Sequence, residues 1–309
     1  MIALMRIGPT DILDEHAEAF TARYARLILT AVDNHWVEAA AREATGYAAS
    51  VVGCDCEAGV ERYLASSETP DGRPGVALLF FTFKTEQLAR AIAWRVGECV
   101  LTCPTTACFN GLPDAEEVVP LGGDTREFAD GHEIKDQSAV GNELGAGRWR
   151  LPVWDGEFVV DAVAGVGLGV AGGNLVLHGK TQADGLAAAG RAAGALAEFP
   201  NIIMPFPGGV CRAGSKVGGL VMKDIVATID EAYCPTLRGQ VESKLVVGAA
   251  VAYELIINGV DLASVAGAMR VAIEAAAGPG MLAIGARSFG GKLGKHRIGL
   301  LGLFAKPDK

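Results

Sequence analysis

Residues 251–281 read VAYELIINGVDLASVAGAMRVAIEAAAGPGM. The first nine form an apolar, β-branched run bounded by Gly259, the mark of a buried strand. Asp261 then stands where a helix N-cap belongs, and Gly278-Pro279-Gly280 ends the helical stretch. Leu262, Val265, Met269, Ile273 and Ala276 recur at helical spacing and predict its apolar stripe. A further strand-like run starts at Met281, so the segment reads strand, helix, strand. Glu254 is the anomaly, an ionisable carboxyl inside one of the most apolar stretches of the chain. On an alternating strand it shares a face with Ala252 and Ile256, while Tyr253, Leu255 and Ile257 share the other. Two readings stand at this point: an exposed edge position, or a buried carboxyl whose pKa is raised by desolvation.

Outward from this segment the same layout recurs. GEFVVDAVAGVGLGV is strand-like, QADGLAAAGRAAGALAEF is helical, and strand-like runs fall around Ile202 and Val221. In the first half, DNHWVEAAAREATG and TEQLARAIAWRVGECVL predict helices, the first capped at Asp33 or Asn34. ASVVGCDC and GVALLFFTF predict strands around the turn-rich SSETPDGRPG, and AFTARYARLILTAV fits either period. Each half thus predicts β-α-β-β-α-β, an α+β class with two ferredoxin-like lobes and mostly antiparallel sheets. The polar, glycine-rich residues 121–148 are the expected boundary, giving lobes of 1–148 and 149–309.

The 309 residues carry a net charge of −9 and are 50% hydrophobic. That composition supports a large core and gives no basic face for nucleic acid. The uncharged run from Ala162 to Leu177 falls short of the ~20 residues a spanning helix needs. The opening MIALMRIGPTDILDEH meets Asp11 and Asp14 too early for a secretory leader. Seven cysteines, an odd number, fit reduced thiols and a cytoplasmic location. Neither CDC nor CVLTC has zinc spacing and the five histidines show no ligand pattern, so no metal site is expected. Each histidine reads as a surface or satisfied residue, with His178 placed for burial beside Leu175 and Leu177.

GLGVAG, Gly167–Gly172, matches the dinucleotide fingerprint, but strand-like residues follow where a helix must begin. Its glycines read instead as close packing or a bend. There is no nucleophile elbow and no phosphate-binding Walker loop. PFPGG (205–209), SKVGG (215–219) and FGGKLGKH (289–296) combine glycine with Lys216, Lys292 and Lys295. They read either as ordinary turns or as loops offering N–H groups to an anionic ligand.

Ten stretches, in one order along nearly the whole chain, carry a resemblance. They are HWVEAAAREATG, CEAG (56–59), ETPDGRPG (68–75), VAGGN (170–174), PFPGG, SKVGG, DEAYCPT (230–236), YELIING (253–259), AMRVAIEAA (268–276) and SFGGKLG (288–294). Together they resemble the formylmethanofuran:tetrahydromethanopterin formyltransferases. The resemblance implies two α/β-sandwich lobes, the first proximal and the second distal, in a homotetramer. It implies no permanently bound cofactor or metal, with methanofuran-type and tetrahydromethanopterin coenzymes as substrates. It implies formyl transfer to N5 of tetrahydromethanopterin in one-carbon metabolism, whether methanogenesis or the formaldehyde oxidation of methylotrophs. It also implies Glu254 as the catalytic carboxyl. Substrate contacts are expected among Cys54, Glu57, Ser215, Lys216, Arg270, Gly290, Gly291 and Lys292. A bacterial homologue would be similar to one subunit of a formyltransferase/hydrolase complex. The rival reading is a non-catalytic scaffold subunit of such a complex, against which the retained YELIING speaks.

Overall fold

The computed structural model describes residues 5–136 and 147–305. Packing divides the chain into two units. One runs from Ala22 to Gly169, and the other joins the residues up to Thr21 to those from Val170 onward. Both divisions fall inside long strands, β1 (His16–Thr30) and β5 (Val163–Gly179). The boundary expected at 148 is displaced for that reason: the chain changes unit within regular strands, where composition carries no signal. Residues 137–146 of the polar stretch lie outside the described residues.

In the unit from Ala22 to Gly169, β1 is followed by α1 (Asn34–Thr45), β2 (Glu57–Leu64), β3 (Gly75–Thr82), α2 (Thr85–Arg95) and β4 (Ala107–Asn110). The sheet order is β2-β3-β1-β4, antiparallel throughout these four. Val37, Ala40, Ala41 and Ala44 of α1 pack with Leu88 and Ile92 of α2 on Leu27, Leu29, Leu78 and Phe80 of the sheet. This is the predicted β-α-β-β-α-β unit. One strand was misplaced: ASVVGCDC forms turns, and the strand is EAGVERYL instead. Its charged residues disguise it, because Glu61 is buried and held bidentately by Arg26 at 2.7 Å.

In the other unit, β5 is followed by α3 (Gln182–Leu196), β6 (Ile202–Ile203), β7 (Val251–Gly259), α4 (Leu262–Ala276) and β8 (Met281–Gly285). The order β6-β7-β5-β8 repeats the first pattern, again antiparallel. Asp261 caps α4 by accepting from Ser264 N at 2.7 Å. Val265, Met269, Ile273 and Ala276 are buried as the stripe predicts, whereas Leu262, in the first turn, is exposed. Gly173 and Gly259 let α4 approach the sheet: a Cβ would stand 2.4 Å and 2.8 Å respectively from the Val265 methyls. Of the dinucleotide-like glycines, Gly167 makes room for the Tyr24 ring, which a Cβ would meet at 2.4 Å, and Gly172 takes φ of +85°, so they serve close packing and a bend, as read above.

A long insertion, residues 204–250, separates β6 from β7. It holds the short antiparallel pair Ser215–Val217 and Ala227–Ile229. Val221, expected in a strand, lies in the turn between them. Among the described residues no helix is long and apolar enough to cross a membrane.

Candidate active site

Tyr253, Leu255 and Ile257 of β7 enter the core beneath α3 and α4. Strand alternation then sends Glu254 to the opposite face, where the insertion covers it and leaves it 7% exposed. The opening alternatives are thereby decided in favour of burial. The backbone of Cys211 brackets the position: Cys211 N donates to Glu254 O at 2.8 Å, and Glu254 N donates to Cys211 O at 2.9 Å. Gly214 leaves room for the carboxyl, since a Cβ there would stand 2.4 Å from Glu254 Oε2.

Arg287 is the partner. Its Nη1 stands 3.3 Å from both Glu254 oxygens, and its Nη2 donates to Asp230 Oδ2 at 2.9 Å and Ser215 O at 2.6 Å. The guanidinium lies over the rings of Tyr233 and Phe289. Asn174 fixes the arginine's backbone, accepting from its N–H at 2.6 Å and donating to its carbonyl at 3.1 Å. One cation thus serves two carboxylates, and Asp230 has the shorter bond. Burial raises the Glu254 pKa, Arg287 opposes that shift, and the charge of Asp230 adds to it. With Glu254 protonated, the Arg287–Asp230–Glu254 cluster is neutral, which is the arrangement a buried site favours.

A recess lined by Cys211, Gly214, Tyr233 and Glu254 adjoins a larger cleft, with Asp230, Tyr233 and Arg287 common to both. The cleft measures about 530 Å³ and is also lined by His16, Lys216, Lys244 and Phe289. That volume is in the range of small-molecule sites.

The expected contact residues separate. Lys216 lines the cleft, paired with Glu231 at 2.5 Å. Ser215 contributes its carbonyl to Arg287 rather than its hydroxyl. Gly290, Gly291 and Lys292 follow Phe289 in its loop without lining the cleft themselves, and Lys292 is exposed. Arg270 is not brought to the site. It lies exposed on α4, bonded to Glu274 at 3.1 Å, on the helix-covered side of the sheet. Cys54 and Glu57 belong to the other unit, where Glu57 is buried and accepts from Val51 N at 3.1 Å.

In the loop of Phe289–Gly294, of the two readings left open, the N–H groups turn to the protein itself rather than to a ligand. The Glu18 carboxylate accepts from Phe289, Gly291, Leu293 and Gly294 N–H at 2.6–3.0 Å, and from Ser288 Oγ at 3.2 Å. Burial alone would raise the Glu18 pKa, but the four backbone donors outweigh it and hold the carboxyl at about 2. His178 also departs from expectation. It is buried at 1% exposure, but its Nδ1 has no hydrogen-bond partner among the described residues. Burial pushes its pKa down to about 4, so it is neutral. Among the described residues no cluster of three or more His, Cys, Asp or Glu is arranged to hold a metal ion.

A buried acid held by an arginine beside a ligand-sized cleft has the make-up expected of an acid–base site. The chain belongs to the formylmethanofuran–tetrahydromethanopterin formyltransferase family. The family model of that description matches residues 5–153, and the model for the family's proximal lobe matches residues 156–303. The family's naming therefore puts the proximal lobe in the second half, the reverse of the labels expected from the resemblance. The formylmethanofuran–tetrahydromethanopterin formyltransferase of Methanosarcina mazei is 43% identical over 302 residues, 97% of this chain and 100% of the relative. That of Methylococcus capsulatus is 44% identical over 295 residues, 94% of this chain and 96% of the relative. The solved formyltransferase of Methanosarcina barkeri superposes with a TM-score of 0.90 at 42% identity, covering 97% of this chain and all of that one. A chain of the formyltransferase/hydrolase complex of Methylorubrum extorquens, solved with methylofuran, gives a TM-score of 0.91 at 40% identity, covering 99% and 100%.

Proposed function

We propose that the protein transfers a formyl group between the amine of a methanofuran-type coenzyme and N5 of tetrahydromethanopterin, with Glu254 as the proton-handling group. The observation that carries the reading is the buried Glu254–Arg287–Asp230 cluster at the edge of the cleft, in a chain of this family. The donor is an amide, whose amine departs poorly without a proton. N5 attacks the formyl carbon, the C–N bond forms and the carbonyl electrons move to oxygen. Collapse of the tetrahedral intermediate breaks the bond to the donor amine. N5 loses one proton and the amine gains one, so the reaction needs a relay rather than a net acid or base. Protonated Glu254 gives its proton to the departing amine and recovers one from N5. Arg287 stabilises the carboxylate between those two events. Neither coenzyme is permanently bound in this reading; both are substrates that enter and leave the cleft. A cytoplasmic homotetramer, or a place in a complex like that of the Methylorubrum extorquens neighbour, is part of the same reading, and full-length similarity to that chain supports it.

The test is formyl transfer by the purified chain alone, following N5-formyl-tetrahydromethanopterin produced from formylmethanofuran and, separately, from formylated methylofuran. Turnover with one of the donors is expected. A folded protein that neither binds the coenzymes nor transfers a formyl group would be the scaffold subunit instead.

A further inference from the structure

We propose that Glu18 is a positioning residue for substrate binding: its buried carboxylate fixes the Ser288–Gly294 segment as a wall of the ligand cleft. The inference rests on the formyl-transfer reading of that cleft. Glu18 lies on β1, where it is 2% exposed and its main-chain N–H donates to Arg287 O at 3.2 Å. Its two carboxylate oxygens accept from four backbone N–H groups and one hydroxyl of a single short loop. Such a concave set of N–H groups is the form that usually receives a ligand anion. Here a side chain of the protein fills it.

The loop sequence is built for this capture. Gly290 and Gly291 have φ of +72° and +74°, consecutive left-handed positions that side chains adopt at a cost. A Cβ at Gly294 would stand 2.0 Å from Ala19 O, so only glycine lets the loop close on β1. Ser288 and Phe289, the first residues of the loop, line the cleft. Arg287, one residue earlier, is held independently by Asn174, Asp230 and Glu254. Glu18 therefore governs the wall that meets substrate, while the cluster that moves protons keeps its own supports.

This separation predicts a divided kinetic effect. Glu18→Gln keeps the shape of the side chain but turns one acceptor into a donor facing N–H groups, and the loop loses its anchor. The expected result is a folded protein whose KM for one or both coenzymes rises about tenfold or more, with kcat within about threefold of wild type. Hydrogen exchange at the amides of Phe289, Gly291, Leu293 and Gly294 is expected to accelerate in the same variant. A folded Glu18→Gln with wild-type KM and unchanged exchange overturns the proposal. Should that variant fail to fold, Gly291→Ala decides. No atom lies within 4 Å of its added Cβ, so it strains only the loop backbone. A raised KM supports the proposal, and an unchanged KM overturns it. If wild type transfers no formyl group, the functional reading fails, while the exchange comparison still tests the loop's dependence on Glu18.

Discussion

Glu254→Gln is expected to fold and to lose about 10²–10⁴-fold in formyl-transfer turnover, the scale of a positioned acid–base group. Glutamine keeps the volume that Gly214 leaves open and can still meet Arg287, but it has no proton to relay. The loss falls on kcat, because the variant leaves the cleft lining intact. Stability should move the other way. The folded pKa of Glu254 is raised above its ordinary value near 4.5. Its contribution to stability is therefore full below that ordinary value and is lost as pH rises through the folded one. Glutamine never ionises and escapes this loss. Thermal unfolding is expected to place the variant at or above wild type at neutral and alkaline pH, the two converging in acid. Near-native turnover from the folded variant would remove Glu254 from the chemistry.

Arg287→Met is expected to cost about 3–5 kcal/mol in denaturant unfolding, as when one partner of a buried ion pair is deleted. The change leaves Asp230 and Glu254 facing each other without a cation, and it orphans the Ser215 carbonyl. The cost should be similar in the Glu254→Gln background, because the protonated Glu254 carries no charge and Asp230 is the partner left without its cation. A loss below about 1 kcal/mol at neutral pH would mean that the arginine is not the charge balancing this site. Turnover should fall with it, since nothing then stabilises the Glu254 carboxylate between proton transfers.

Glu254 is legible because a carboxyl inside VAYELIING contradicts its surroundings, and alternation says which apolar neighbours share its face. Its partners are not. Arg287 lies 33 residues away in sequence, in an otherwise unremarked segment, and reaches the carboxyl only because β8 ends beside the insertion. A buried carboxyl does ask for a cation, but sequence spacing cannot choose among the arginines. Arg270 shows the hazard: it stands in a stretch that carries the resemblance, yet it points from α4 to Glu274. Glu18 was hidden for another reason. FGGKLG does mark a loop of inward N–H groups, but whether a ligand or the chain itself fills them depends on a strand more than 270 residues away.

The two β-α-β-β-α-β units followed from periodicity because their helices and central strands bury one clear face each. EAGVERYL escaped because it pairs a buried Glu61 with Arg26, and a buried ion pair looks like a surface loop in sequence. The boundary of the units escaped because it lies within β1 and β5, which look the same on either side of it.

The most direct measurement is a pH titration of wild type by difference infrared spectroscopy, with Glu254→Gln as the reference. The account predicts a protonated-carboxyl C=O band, absent from the variant, that persists above pH 4.5, the ordinary value for the group. A band that titrates near pH 4.5, or that is equally present in the variant, would contradict it.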